Sequence, residues 1–429
     1  MWSLAAVTSR IFYSKFLTRN KKGLRLKHPT ILVTNHPNTL FDPFMAAVPI
    51  NRYVHFLANA GMFDIPILGP FLGSTFGIKV ERRQDVEKDG VKLDNDKAFQ
   101  FAENFLTKGG CLYIAAEGGS DIPRRIRRFK TGSARIALST EDKNDFKLGL
   151  EILIVGLNYQ DQRNFRTPIF RNVGTPIKVA DFEVSYRKDK FQAVTELTTA
   201  MQRRAENLTI HTRDDEEDAL MRKLEEITQT ENPLSLDLVF DRTKKMITNW
   251  QNLQENKSTE AIKFASNVEQ YFSFLQKNKT RDCVVVKTQK PSAKLNWWMR
   301  TLLMILGYPM FVYGMANNFL ANYIPALIFK KLKLHPAYTS AVKILAGIFT
   351  YLVFYGLQIW AFKQFFTERW MTWVYIVSLV LTGLFAWWFK DFAKDTLSGW
   401  RLFRMSKEKL EPILELRKSI VTQINYSLT

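Results

Sequence analysis

From about residue 29 to residue 180 the apolar positions switch between a strand-like and a helix-like rhythm. Residues 30–34, 53–57, 76–80, 111–115 and 152–157 are short β-branched or aromatic runs bounded by turn residues, and each predicts a strand. Between them apolar residues recur at helical spacing. One predicted helix runs from about Val86 to Thr107 and stops at Gly109-Gly110, a normal helix end. The alternation predicts an α/β domain over residues 25–185 with a largely buried sheet.

Downstream the pattern changes. Residues 186–295 are dense in charge, with apolar positions at helical spacing, and predict several soluble helices. Residues 296–389 predict a membrane region. Its segments 340–362 and 370–389 are apolar runs, each about long enough to cross a bilayer as a helix. Trp360, Trp370, Trp373, Trp387 and Trp388 cluster at their ends, as interfacial aromatics do. The stretch 301–329 is apolar but interrupted by Gly307, Pro309, Gly314, Asn317, Asn318, Asn322 and Pro325. It predicts a re-entrant or interfacial segment, so that the spans form a hairpin. Residues 390–429 make a basic amphipathic tail. Within residues 1–24, Trp2, Leu4, Val7, Ile11, Phe12 and Leu17 recur near helical spacing among Arg and Lys. They read as an amphipathic helix in a membrane interface, or as a surface helix packed on the next domain.

Charge narrows the partners. The formal net charge is +20, which attracts anionic lipids, acidic carriers or nucleic acid. Two bilayer-length runs argue against nucleic acid, and the Arg124–Lys130 cluster offers only Phe129 for stacking. Cys111 and Cys283 lie far apart without CxxC spacing, so no disulfide framework or metal site is expected and a reduced, cytosol-facing compartment fits. The first ten residues lack a basic leader with a long apolar core, so no secretory signal is expected.

The chemistry concentrates at predicted strand ends. His36 and Asp42 follow the apolar run Ile31-Leu32-Val33, six positions apart across a turn. A neutral imidazole can take the proton of an attacking alcohol, and a carboxylate on its far nitrogen fixes the tautomer. No Ser or Cys nucleophile is needed if the alcohol attacks a thioester directly. The strand at 76–80 leads into Arg82 and Arg83, whose forks suit a phosphate. The strand at 111–115 leads into Glu117-Gly118-Gly119, followed by Arg124, Arg125, Arg127, Arg128 and Lys130 beside a predicted helix start, an anion site.

In this order, Asn35-His36 with Asp42-Pro43, then Val80-Glu81-Arg82, then Glu117-Gly118, then Val155-Gly-Leu-Asn-Tyr159 resembles the four-block signature of the glycerolipid acyltransferases. These are the glycerol-3-phosphate and 1-acylglycerol-3-phosphate O-acyltransferases. The resemblance covers about residues 25–180. It implies a central mixed sheet flanked by helices, which the soluble helices and the C-terminal transmembrane hairpin read above then follow. By resemblance His36 is the catalytic base and Asp42 its partner. Arg82 binds the acceptor phosphate, Glu117 and Gly118 shape the acceptor site, and Lys130 is a second phosphate contact. The implied donor is acyl-CoA or acyl carrier protein, the acceptor is glycerol 3-phosphate or its 1-acyl form, and no metal or cofactor is required. Five residues separate His36 from Asp42, one more than in the commonest form of the signature, and Ala115-Ala116 precedes Glu117 where Phe-Pro is usual. These departures bear on the acceptor: O-acylation of another lipid, such as an amino-acid lipid, stays open, as does a non-catalytic lipid-binding role.

Charge flanks give a topology. Lys330, Lys331 and Lys333 precede the first span, and Lys390, Lys394, Arg401 and Arg404 follow the second. Positive flanks stay cytoplasmic, so the catalytic domain, residues 330–333 and the C-terminus are expected on that side and 363–369 on the other.

Overall fold

The structure is a computed structural model and describes residues 9–39, 41–60, 63, 77–80, 95–119, 123–332 and 336–428. The chain divides into two compact units, 1–213 with 335–341, and 214–334 with 342–429.

The first unit is a mixed sheet with helices. Its strands are β1 Phe16–Arg19, β2 Thr30–Thr34, β3 Val54–Asn59, β4 Gly77–Val80, β5 Cys111–Ile114, β6 Glu151–Tyr159, β7 Ile169–Val173 and β8 Ile177–Lys178. They lie in the order β1-β7-β6-β2-β5-β3-β4, with β8 also on β6. β7 and β8 run antiparallel to β6, and the other pairings are parallel. β2 sits centrally, and all five of its residues are buried. Ile31 and Val33 point into a core with Leu112, Ile152 and Ile154, closed by helices α2 Asp96–Thr107, α3 Gly132–Asp142 and α5 Lys190–Leu208. The other face carries α1 Phe41–Ala47 and an aromatic group of Phe12, Tyr13 and Phe41. The short helix α4 Glu183–Lys188 precedes α5.

Two expectations change here. Within 1–24, the described residues 9–12 are helical, while 16–24 form the edge strand β1 and a 3-10 turn at Lys21–Leu24 in place of a continuing helix. Phe16 and Leu17 pair in register with Ile169 and Phe170, so sheet hydrogen bonding overrides a weak helical period. The domain also extends past residue 185, because Ala193, Leu197, Met201 and Ala205 of α5 complete the sheet's core.

The second unit is all helix: α6 Asp215–Glu231, α7 Leu236–Asn256, α8 Ser258–Lys277, α9 Asp282–Thr288, α10 Ala293–Leu332, α11 Thr339–Phe365, α12 Arg369–Phe403 and α13 Lys407–Gln423. Arg417 of α13 grips buried Asp282 through Nε at 2.6 Å and Nη2 at 2.9 Å, and Glu231 through Nη1 at 2.6 Å. That network ties α13 to α6 and α9.

Three helices, Ala293–Leu332, Val342–Phe365 and Arg369–Phe403, are long and apolar enough to cross a membrane. The expected interruption at 301–329 is absent: α10 runs unbroken through Pro309 and Pro325. The asparagines fail to break it because each turns its amide back on the helix. Asn317, Asn318 and Asn322 donate to the carbonyls of Tyr313, Gly314 and Asn318, four residues earlier, at 2.9, 2.9 and 3.1 Å. α10 packs antiparallel on α12. Trp297 Nε1 donates to the Thr396 carbonyl at 3.0 Å, and Asn318 reaches the Leu379 carbonyl at 3.3 Å. Gly314 permits this approach, since a Cβ there would lie 2.2 Å from the Thr382 carbonyl oxygen.

Candidate active site

β2, β5 and β6 are parallel neighbours, so their C-terminal ends reach the same edge of the sheet. Such an edge is where open α/β sheets hold reactive groups. β2 delivers Asn35 and His36, β5 delivers Glu117, and β6 ends in Asn158 and Tyr159. Asn35 extends the ladder beyond β2: its amide donates to the Leu157 carbonyl at 2.9 Å and accepts from the Leu157 N–H at 2.7 Å. His36 is thereby held at the rim. A turn then brings the chain into α1, whose second residue is Asp42.

His36 Nδ1 lies 3.1 Å from Asp42 Oδ2. At this ring orientation Nδ1 faces the carboxylate without meeting hydrogen-bond geometry. Asp42 is fully buried, and the His36 side chain is 10% exposed. A buried carboxylate must be compensated. Here the Asn38 N–H donates to Oδ2 at 2.7 Å and the Tyr159 hydroxyl to Oδ1 at 2.6 Å. Burial and the charge of Asp42 push the Tyr159 hydroxyl well above the usual phenol range, which keeps it protonated as a donor. Asn38 is itself anchored by the Tyr13 hydroxyl at 2.6 Å.

Glu117 is buried beside this pair. Its Oε1 accepts the His36 N–H at 2.9 Å and its Oε2 the Arg127 N–H at 3.1 Å. Burial pushes its carboxyl up to about 7, against the lowering pull of those two N–H groups. Glu117 thus pins the backbone of the His36 loop to that of the arginine-rich loop. Gly118 follows at φ +68, and the Lys130 stem passes where its Cβ would be, 3.3 Å away. Lys130 itself is exposed, fixed by its N–H to the Ala116 carbonyl at 2.7 Å.

The cleft over His36 is lined by Glu117, Arg124, Arg125, Asn158 and Gln162, among others. The structure therefore brings His36, Asp42 and Glu117 together and sets Arg124 and Arg125, rather than Lys130, on the cleft wall. Arg82 lies outside the described residues. Tyr159 and Asn38, which complete the carboxylate's shell, were not singled out for a role by their sequence; Tyr159 closes the fourth motif block, and that position was the available signal.

An imidazole backed by a buried, hydrogen-bonded carboxylate at a cationic cleft is equipped to deprotonate an alcohol on an anionic substrate. Residues 15–159, which hold this whole constellation, match the family model described as Acyltransferase. That segment, about a third of the chain, is thus similar to the acyltransferases. An uncharacterized acyltransferase of Schizosaccharomyces pombe is 25% identical over 115 residues, 26% of this chain and 17% of that protein. The match thus spans under a fifth of that relative's length. The crystal structure of PlsC from Thermotoga maritima, a 1-acyl-sn-glycerophosphate (LPA) acyltransferase, is similar at 18% identity and a TM-score of 0.33, over 47% of this chain and 78% of that one.

Proposed function

We propose that the protein is a membrane-bound O-acyltransferase that moves a fatty acyl group from a thioester, acyl-CoA or acyl carrier protein, to a hydroxyl of glycerol 3-phosphate or 1-acylglycerol 3-phosphate. The observation that carries the reading is the His36–Asp42 pair at 3.1 Å, held by Tyr159 and Asn38. With Nδ1 facing Asp42, Nε2 is left to take the acceptor's hydroxyl proton. The alkoxide oxygen attacks the thioester carbonyl, the C–S bond breaks, and the imidazolium returns its proton to the leaving thiolate. Asp42 stabilises the imidazolium in between. Arg124 and Arg125 on the cleft wall, with Arg82, suit the acceptor phosphate. Purified full chain assayed with both donors against both acceptors tests the reading. Transfer to either acceptor is expected; no transfer to any acceptor would end it.

The same reading places the catalytic unit on the cytoplasmic side, where acyl thioesters are made. The antiparallel α10/α12 pair suits a return in which residues 293 and 403 share one side. The charge of Lys330 and Lys331, and the grouping of 335–341 with residues 1–213, suit a cytoplasmic 331. Single cysteines at 331 and 405, probed with an impermeant thiol reagent on sealed vesicles, test this. Both are expected to stay protected from a reagent added outside; labelling of 331 from outside would mean that α10 crosses the membrane.

A further inference from the structure

The end of the α10/α12 pair that meets the helical body carries a groove of about 660 Å³. Its walls are apolar: Met304, Ile305, Tyr308 and Phe311 of α10, with Phe389, Ala393 and Leu397 of α12. Its rim is cationic, formed by Lys390, Lys394 and Arg401 of α12 and by Lys279 from the turn between α8 and α9. Positions 390, 394, 397 and 401 recur at helical spacing, so the cations and the apolar wall share one face of α12.

These charges are not spent inside the protein. Asp395 is held by Arg281, with Nε at 3.0 Å, and Asp391 lies within electrostatic reach of the same arginine. Lys279, Lys390 and Lys394 are exposed, and none makes an ion pair with a described carboxylate. Lys279 also adopts φ 49, a left-handed conformation usually left to glycine or asparagine at a helix stop. A lysine held there against backbone preference presents its charge at the groove mouth.

From Lys390 to Arg401 the cations run about 16 Å along α12, beside the apolar wall that α10 presents from Met304 to Phe311. Cations lining an apolar groove match an anionic amphiphile.

We propose that this groove binds an anionic phospholipid, its phosphate among Lys279, Lys390, Lys394 and Arg401 and an acyl chain along Met304, Ile305 and Tyr308. The site lies entirely within the helical unit and does not depend on the acyl-transfer reading. Native mass spectrometry of the full chain in neutral detergent tests it, titrating phosphatidylglycerol against phosphatidylcholine of identical chains. The wild type is expected to retain one phosphatidylglycerol on the order of 100-fold more tightly than phosphatidylcholine. Each lysine near the surface contributes about five-fold, so the double variant K390Q/K394Q is expected to weaken phosphatidylglycerol roughly 25-fold and leave phosphatidylcholine unchanged. K407Q/K409Q, with the same loss of charge on α13, is expected to change neither. I305W, which fills the trough from an exposed position, is expected to weaken both lipids. Equal retention of the two lipids, an equal effect of K407Q/K409Q, or displacement of the lipid by millimolar inorganic phosphate would overturn the proposal.

Discussion

The sheet edge around His36 and the α10/α12 pair both bury polar side chains among apolar ones, and they satisfy them in opposite ways. At the sheet edge the partners that tie the turn to the rest of the sheet are distant in sequence. Tyr159 reaches Asp42 across 117 positions, and Glu117 reaches the His36 backbone across 81. In the helix pair, Asn317, Asn318 and Asn322 each find a carbonyl four residues back. Long-range satisfaction makes a site that exists only once the whole sheet has formed. Local satisfaction makes a helix that is complete on its own and lends only its spare hydrogen-bonding capacity to a neighbour.

The sharpest way to break this comparison is at its chemical centre. His36→Ala is expected to lower kcat about 10²- to 10⁴-fold while the thermal unfolding midpoint holds, since the imidazole contributes chemistry rather than packing. Near wild-type turnover in the variant would remove His36 as the base. Tyr159→Phe is next. It deletes one hydrogen bond to a charged, fully buried carboxylate, worth about 1.5–3 kcal/mol. The expected result is a roughly ten- to hundred-fold fall in kcat with little change in KM, because Tyr159 positions Asp42. A variant that loses acceptor affinity instead would place Tyr159 at the substrate.

Glu117→Gln sharpens the comparison through pH. The substitution keeps one oxygen acceptor and turns an amide toward the other N–H, leaving a donor unpaired at a cost of about 1–3 kcal/mol. Folding raises the Glu117 carboxyl from the usual 4.5 to about 7, so the neutral acid is the favoured folded form. Its contribution to stability is therefore full below pH 4.5 and is lost as the pH rises toward 7. Unfolding midpoints measured across that window should fall more steeply with pH in the wild type than in the variant. Parallel slopes would show that Glu117 titrates normally.

The contrast also explains what was legible in the sequence. Thr30–Thr34 was read to the residue, because a buried parallel strand is a continuous apolar run. The His36/Asp42 pair was legible because both members sit on one turn. The roles of Tyr159 and Asn38 were not: Tyr159 meets its carboxylate 117 positions away, and Asn38 acts through a backbone N–H that most residues would supply. β1 was hidden for a related reason: its partner β7 lies some 150 positions on, and four residues of edge strand carry no period of their own. At 301–329 the difference between pattern and helix runs the other way. Asparagine and proline signal breaks in water, where turns compete; in an apolar helix the amides fold back on their own backbone, and the signal reverses.

The smallest expected effect tests that last point. Asn318 is buried between α10 and α12; beyond its own helix it donates to the Leu379 carbonyl at 3.3 Å and accepts from the Tyr355 hydroxyl at 2.6 Å. If its amide is mainly satisfied locally, replacing it should cost little, because the Gly314 carbonyl keeps its own helical bond. Polar contacts between membrane helices average about 0.6 kcal/mol in double-mutant cycles. Asn318→Leu is therefore expected to destabilise the full chain by about that amount, and a cycle with Tyr355→Phe should assign most of it to the Asn318–Tyr355 bond. Denaturation in mixed micelles, followed by Trp fluorescence, measures both. A loss of several kcal/mol would mean that Asn318 holds the two helices together as Tyr159 holds Asp42, and the division between local and long-range satisfaction would no longer separate the two regions.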